Sequence, residues 1–207
     1  MPRRNRVAPD GVILAAPDRG TFMGNRGKLH DAEGRICRDW RVQRWLICDL
    51  DFNERRRTVM APDRYTELFF LDEATALAAG HRPCFECRRP RFLAFQSAME
   101  AGLGAPSLAA SDIDDRLHRE RLTPEGAKRT FVADLERLPD GVFVALRGRP
   151  HLVSGESIFA WSFGGYSEPR PRPAGQVVVL TPPSTVAALA AGYRPVLHAL
   201  IKGMDEE

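Results

Sequence analysis

Apolar and polar residues alternate along the stretch 41–52, with Leu46, Cys48, Leu50 and Phe52 on one side and Trp45, Ile47, Asp49 and Asp51 on the other. That period of two predicts a half-buried strand. Asn53-Glu54 then turns the chain into 55–60, giving an expected hairpin. Residues 65–71 read as a further strand. Asp72 closes it as the N-cap of an alanine-rich helix over 72–79, with Gly80 as the stop and Pro83 just beyond. By contrast, the first thirty residues are rich in Pro, Gly and Arg without a period, so they read as an extended arm and loop, with a turn cluster at Gly24-Asn25-Arg26-Gly27.

Farther along, Phe92, Phe95 and Met99 recur at helical spacing and predict a helix over 91–101, broken at 102–106. Ser111 is placed to cap a helix through Leu122, and Thr123-Pro124-Glu125 to start another that ends near Pro139-Asp140-Gly141. Short strands at 142–146, 151–153 and 158–163, parted by Gly148 and Gly155, predict a meander. An extended Pro-rich connector at 168–173 and a strand at 177–180 follow. The sum is an α+β chain.

One motif repeats. Residues 72–83 and 184–195 share seven of twelve positions (Ala76/Ala188, Leu77/Leu189, Ala78/Ala190, Ala79/Ala191, Gly80/Gly192, Arg82/Arg194, Pro83/Pro195), and Asp72 and Ser184 align as caps. The second copy carries Val196 and Ala199 where the first carries Cys84 and Cys87, and Tyr193 where it has His81, which marks His81 as a packing residue.

Cys84-Phe85-Glu86-Cys87 is the strongest chemical signal. Two cysteines with two residues between them, on a helix exit, can point both thiolates at one ion while the turn's N–H groups donate to the sulfurs. Two further cysteines, Cys37 and Cys48, and five histidines are available to complete a site. Four cysteines in 207 residues, without a charged-then-apolar leader, do not make a secreted disulfide framework. No run reaches the roughly 18 apolar residues of a bilayer span. The expectation is a soluble cytoplasmic protein with no membrane role.

Thirty Lys+Arg against twenty-seven Asp+Glu give a net charge of +3, with a pI near 8.8. Arginine outweighs lysine and crowds the first sixty residues, with Trp40 and Trp45 interleaved, as on a nucleic-acid-facing surface. Arg38, Arg41, Arg55, Arg56 and Arg57 are the expected phosphate contacts. Phosphate loops, dinucleotide fingerprints and G-x-S-x-G are missing, so no nucleotide cofactor is expected. A zinc deaminase needs a His or Cys upstream of the P-C-x-x-C, with glutamate two residues after it. His30 is followed there by Ala32 and Cys48 by Leu50.

The stretch 70–90, F-x-D-x-x-x-A-x-x-A-G-x-R-P-C-x-x-C-R-x-P, resembles the zinc-binding N-terminal module of the Ada DNA-alkylation-repair protein. The likeness covers about a tenth of the chain. It implies zinc held by Cys84 and Cys87, with Arg82 and Pro83 setting their turn, and DNA as partner. In that module the other two cysteines lie upstream with three residues between them, one of them accepting a methyl group from a DNA phosphotriester. Here Cys37 and Cys48 are ten residues apart, and Phe52 stands where the second would fall. Cys48 is the expected third ligand and Cys37 the fourth, paired through an Ile36-Cys37 strand, with His30 or solvent as alternates. The resemblance divides the chain into an Ada-like zinc region with a basic arm at 1–104 and, at 105–207, a helical segment and an α+β region that echoes the motif without ligands. It implies zinc-stabilised DNA binding in alkylation repair or its regulation. The alternatives are an alkyl-accepting repair enzyme using Cys48 or Cys37, and a metal-stabilised protein-interaction scaffold.

Overall fold

A computed structural model of the chain describes residues 2–53 and 58–199. It is α+β, with two sheets and four α-helices among the described residues. The first sheet holds β1 (Arg4–Val7), β2 (Ile13–Ala15), β3 (Phe22–Asn25), β4 (Leu46–Cys48), β5 (Leu68–Phe70) and β6 (Arg82–Pro83), in the order β2-β1-β5-β3-β4-β6. Helix α1 (Glu73–Ala78) joins β5 to β6. Then come α2 (Arg89–Leu103) and α3 (Ala110–Arg121). The second sheet comprises β7 (Phe131–Asp134), β8 (Phe143–Leu146), β9 (Arg149–Ser154), β10 (Ser157–Ser162), β11 (Gly165–Tyr166), β12 (Arg170–Pro171) and β13 (Gln176–Val179). Its order is β11-β10-β9-β8-β13-β7, with β12 beside β10. Helix α4 (Pro183–Ala190) ends the series.

The expected meander is present as β8, β9 and β10, paired antiparallel. α2 buries Phe92, Phe95 and Met99, the three positions its spacing marked. These join one cluster of buried side chains that also holds Val7, Ile47 and Phe70 of the first sheet, Ile113 and Leu117 of α3, and Val144, Val153 and Val179 of the second. Each large side chain so buried contributes about 1.5–3 kcal/mol of transfer free energy.

Helix α1 is buried along its whole length, and its alanines let both sheets approach it. Asp72 caps it by accepting from Thr75 N–H at 2.8 Å, and Gly80 exits at φ +88. A side chain at Gly80 would also meet Arg121 Cδ at 2.6 Å, so the stop is fixed by contact as well as conformation. Glu73, buried in this helix, takes Arg88 Nη1 at 2.9 Å, Arg91 Nη2 at 2.8 Å, Tyr193 O–H at 2.6 Å and Val196 N–H at 2.8 Å.

Several expectations are corrected. The N-terminal arm is not loop: β1, β2 and β3 lie within it. Gly24 and Asn25, read as a turn, belong to β3, where a Cβ on Gly24 would stand 2.2 Å from the Leu46 carbonyl and 2.7 Å from the Phe70 ring. Glycine is there to let β3 lie flat between β4 and β5. The strand at 41–52 contracts to β4, because only Leu46, Ile47 and Cys48 find partners in β3 and β6. Of the expected hairpin arm at 55–60, residues 55–57 lie outside the described residues, and 58–60 contain no strand. The helix expected from Thr123 is a turn closed by Thr123 N–H on Ala127 O and Gly126 N–H on Thr123 O. β7 follows, since Phe131 and Val132 pair with β13, and a single 3-10 turn covers Leu135–Arg137. Neither expected serine cap, Ser111 nor Ser184, holds: α3 begins at Ala110 with Asp112 accepting from Ala109 N–H, and Ser184 lies inside α4, its N–H and hydroxyl both donating to Glu120 of α3.

Candidate metal centre

Main-chain pairing assembles the site. β4 and β6 run parallel, Leu46 opposite Arg82 and Ile47 opposite Pro83. Arg82 N–H donates to Trp45 O at 3.1 Å and Cys84 N–H to Ile47 O at 2.9 Å. The last residue of β4, Cys48, therefore stands beside the first residue after β6, Cys84. One turn on, Arg88 N–H donates to Cys84 O at 3.1 Å, curling the chain into α2 and returning Cys87 to the same point. The sulfurs of Cys48, Cys84 and Cys87 lie within 4.8 Å of one another. A tetrahedral zinc with Zn–S near 2.3 Å holds its sulfurs roughly 3.8 Å apart, so the arrangement accepts such an ion with small side-chain adjustment.

The electrostatics suit a shared cation. Cys84 is held well below the usual thiol range, first by hydrogen bonds from Cys48 and Cys87, then by the N–H groups of Cys87 and Glu86. Cys48 is raised, chiefly because it donates to Cys84. At Cys87 the bond with Cys48 and the Asp49 N–H work downward, and the bond with Cys84 together with burial outweighs them upward. Three thiols thus gather around one preferred thiolate, and the N–H groups expected to support the sulfurs are in place. A divalent ion would drive the remaining protons off.

Two arginines hold the knuckle. Arg82 makes a bidentate ion pair with Asp114 of α3, at 2.8 and 2.7 Å, and donates to Pro83 O at 3.0 Å. Arg88, buried, bridges Glu73 at 2.9 Å and Asp49 at 3.1 Å and lies over Phe22. Asp49 is raised from the usual carboxylate range by burial, with Arg88 opposing. Arg88, Asp49 and Glu73 are not among the site residues expected from sequence; the available signal is an acidic residue directly after Cys48 and a basic one directly after Cys87.

All three cysteines line a cleft of about 500 Å³, with Met23, Arg44, Tyr65, Glu67, Phe69 and Glu86 among its other walls. Cys48 and Cys84 are buried and Cys87 is half-buried, so the sulfurs form a wall of the cleft. Neither Cys37 nor His30 joins them. Cys37 is exposed, its thiol donating to Arg35 O, and it lines a separate pocket with Lys28, His30, Arg38 and Arg41. The expected strand pairing fails because Ile36 bridges to His30, while β4 pairs with β3. His30 is buried, its ring nitrogens engaged by the Thr66 hydroxyl at 2.6 Å and Ala61 O at 3.2 Å. Of the three options for a fourth ligand, solvent from the cleft is the one consistent with these positions.

Arg38 and Arg41 are exposed. Arg55, Arg56 and Arg57 lie outside the described residues; in sequence they fall between Phe52 and Val59, both of which line the cleft. Trp40 is exposed and packs edge-on against His118. Trp45 is not on the surface: it is buried against Arg26, Arg121 and His81. His81 is the packing residue expected, fully buried between Trp45 and Phe70, with Nε2 accepting from Arg26. Burial holds it well below the ordinary histidine value.

No helix among the described residues is long and apolar enough to cross a membrane. No family model matches the chain, and neither a curated protein nor a solved structure matches it. What characterises the site is its own geometry: three sulfurs converging on one wall of an open cleft.

Proposed function

We propose that the protein is a zinc protein that binds nucleic acid, with Cys48, Cys84 and Cys87 holding the ion and the fourth position facing the cleft. The observation that carries this reading is the convergence of three thiols from two separate chain segments at a solvent-accessible wall. Zinc is favoured over harder cations because thiolates are soft ligands, and over a fully closed structural site because the fourth thiolate stands elsewhere. Three thiolates on a divalent ion leave one net negative charge.

The nucleic-acid part rests on the arginines. Arg38 and Arg41 sit on an exposed segment that leads into β4, and Arg44 lines the cleft itself. DNA is the partner implied by the likeness to the Ada module. Anisotropy titrations of a labelled DNA duplex across a salt series test this. Affinity should fall steeply with salt, and Arg38→Ala and Arg41→Ala should each reduce the slope of log affinity against log salt by about 1. Affinity that does not change between low and moderate salt would rule out phosphate contacts and leave the scaffold reading.

A second reading is favoured by the accessibility of Cys87, the least buried of the three cysteines. In alkyl transfer its thiolate would attack the methyl carbon of a phosphotriester. The S–C bond forms, the C–O bond breaks, and the phosphodiester leaves with the electron pair. Bound zinc would keep the sulfur deprotonated. Intact mass after incubation with methylated DNA separates the two, since transfer adds one methyl group to one cysteine and binding adds nothing.

A further inference from the structure

Apart from the thiol cleft, a further cavity of about 310 Å³ lies where β1, the end of α3 and the turn behind it meet, with Arg26, Trp45, Arg121 and Lys128 in its wall. Arg26 and Arg121 are each 1% exposed. Both guanidiniums lie over the same indole, at 4.0 and 3.9 Å from the Trp45 ring centroid. Lys128, half-buried, comes from the chain just past the turn.

Backbone carbonyls take up part of this charge. Gly11 O and Asp39 O accept from Arg26, Gly80 O and Gln43 O from Arg121, and Ala78 O from Lys128. Lys128 thereby sits on the last carbonyl of α1, a placement that suits its dipole, and Arg121 on the exit glycine behind it. None of the three makes an ion pair among the described residues. Two of their buried donors, Arg26 Nη2 and Arg121 Nε, have no hydrogen-bond partner among the described residues. Counting the whole wall, four cations, Arg4 included, face the two carboxylates of Asp10 and Asp39.

Unpaired buried cations are costly, several kcal/mol each after relaxation, and orphaned donors add to that. Burial pulls both arginines down to about 9, eased at Arg26 by Asp39 and Asp10 and deepened at Arg121 by Arg26. Lys128 falls to about 7, first through burial and then through Arg26. All three shifts have the direction expected of cations lacking an anion. A tetrahedral oxyanion is the group that planar guanidinium donors and a nearby ammonium recognise together.

We propose that this cavity binds a phosphate group, as inorganic phosphate or as the phosphate of a small monoester, with Arg26 and Arg121 as the cations of its wall and the Lys128 ammonium at its edge. The full-length chain is titrated calorimetrically with inorganic phosphate and with glycerol 3-phosphate at an ionic strength held constant with chloride, and melted in the same buffers. Saturable binding and a melting temperature that rises with phosphate are expected. Tighter binding of the monoester assigns it as the occupant, and equal or weaker binding assigns free phosphate.

Lys128→Gln, at a partly buried position, should weaken binding about tenfold, the worth of one charge-assisted hydrogen bond. Arg26→Met should melt at the same temperature with or without phosphate. Cys84→Ser should keep the phosphate response, which places the anion away from the thiol cleft. Titrations and melts that do not distinguish phosphate from chloride overturn the proposal, as does a response that persists at full strength in both Lys128→Gln and Arg26→Met.

Discussion

The two copies of the repeated motif share helix, glycine exit and Arg-Pro, yet one ends in a thiol cluster and the other in a clasp. In both, an alanine-rich helix stops at a glycine of positive φ, +88 at Gly80 and +103 at Gly192, and the next residue, His81 or Tyr193, is buried. They part at the Arg-Pro. Arg82–Pro83 is a strand paired to β4, which carries Cys84 to Cys48. Arg194-Pro195 pairs with no strand, and its chain turns back on the first copy: Tyr193 O–H and Val196 N–H donate to Glu73, and His198 N–H donates to Asp72. Local sequence therefore specifies the helix and its exit; the cysteines that only the first copy carries supply two sulfurs, and its pairing with β4 brings in the third. The second copy serves the first by satisfying its buried carboxylates.

The largest break in the comparison should come at the second motif position. Glu73→Ala leaves Arg88 and the Tyr193 hydroxyl without their buried partner, and should cost about 3–5 kcal/mol. Thr185→Ala, its counterpart in α4, removes a buried hydroxyl that has no hydrogen-bond partner among the described residues and should cost less than about 1 kcal/mol. Urea unfolding of the two variants measures the difference. Equal losses would mean that the copies are packed alike.

At the first position the contrast is smaller. Asp72→Ala removes a helix cap and acceptors for Tyr166 and His198, at about 2 kcal/mol. Ser184→Ala leaves the Glu120 carboxylate still holding the Ser184 N–H and should cost about 1 kcal/mol. Thermal melts rank the pair.

The last contrast concerns the helix C-termini. Lys128 donates to α1 at Ala78 O, whereas α4 has Arg194 on Leu189 O. The folded value of Lys128 lies at about 7 against 10.5 unfolded. Between those values the unfolded chain binds the extra proton, so stability should rise as pH increases from about 7 toward 10. Lys128→Gln should flatten that rise in phosphate-free buffer, and Arg194→Gln should leave it intact. A pH series of melts reads both.

What was legible in the chain was what local signals encode. Asp72, Gly80 and the cysteine spacing fixed α1 and the knuckle, and the spacing of Phe92, Phe95 and Met99 fixed α2. β1, β2 and β3 escaped because three or four residues are too few to show a period among Pro, Gly and Arg. β7 was read as helix because Thr123-Pro124-Glu125 mimics a helix start, whereas pairing with β13 decides its conformation. The site was half legible for the same reason. Cys48 stood out as an apolar strand position, but the choice between it and Cys37 as neighbours of Cys84 depends on β4 meeting β6, a contact between residues far apart in sequence.

Elemental analysis of protein purified without chelator, for the native chain and for Cys→Ser variants at the four cysteines, tests the central claim most directly. The account predicts about one zinc per chain, lost in Cys48→Ser, Cys84→Ser and Cys87→Ser and kept in Cys37→Ser. A native chain free of metal, or a Cys37→Ser variant that loses it, would contradict a three-thiolate centre.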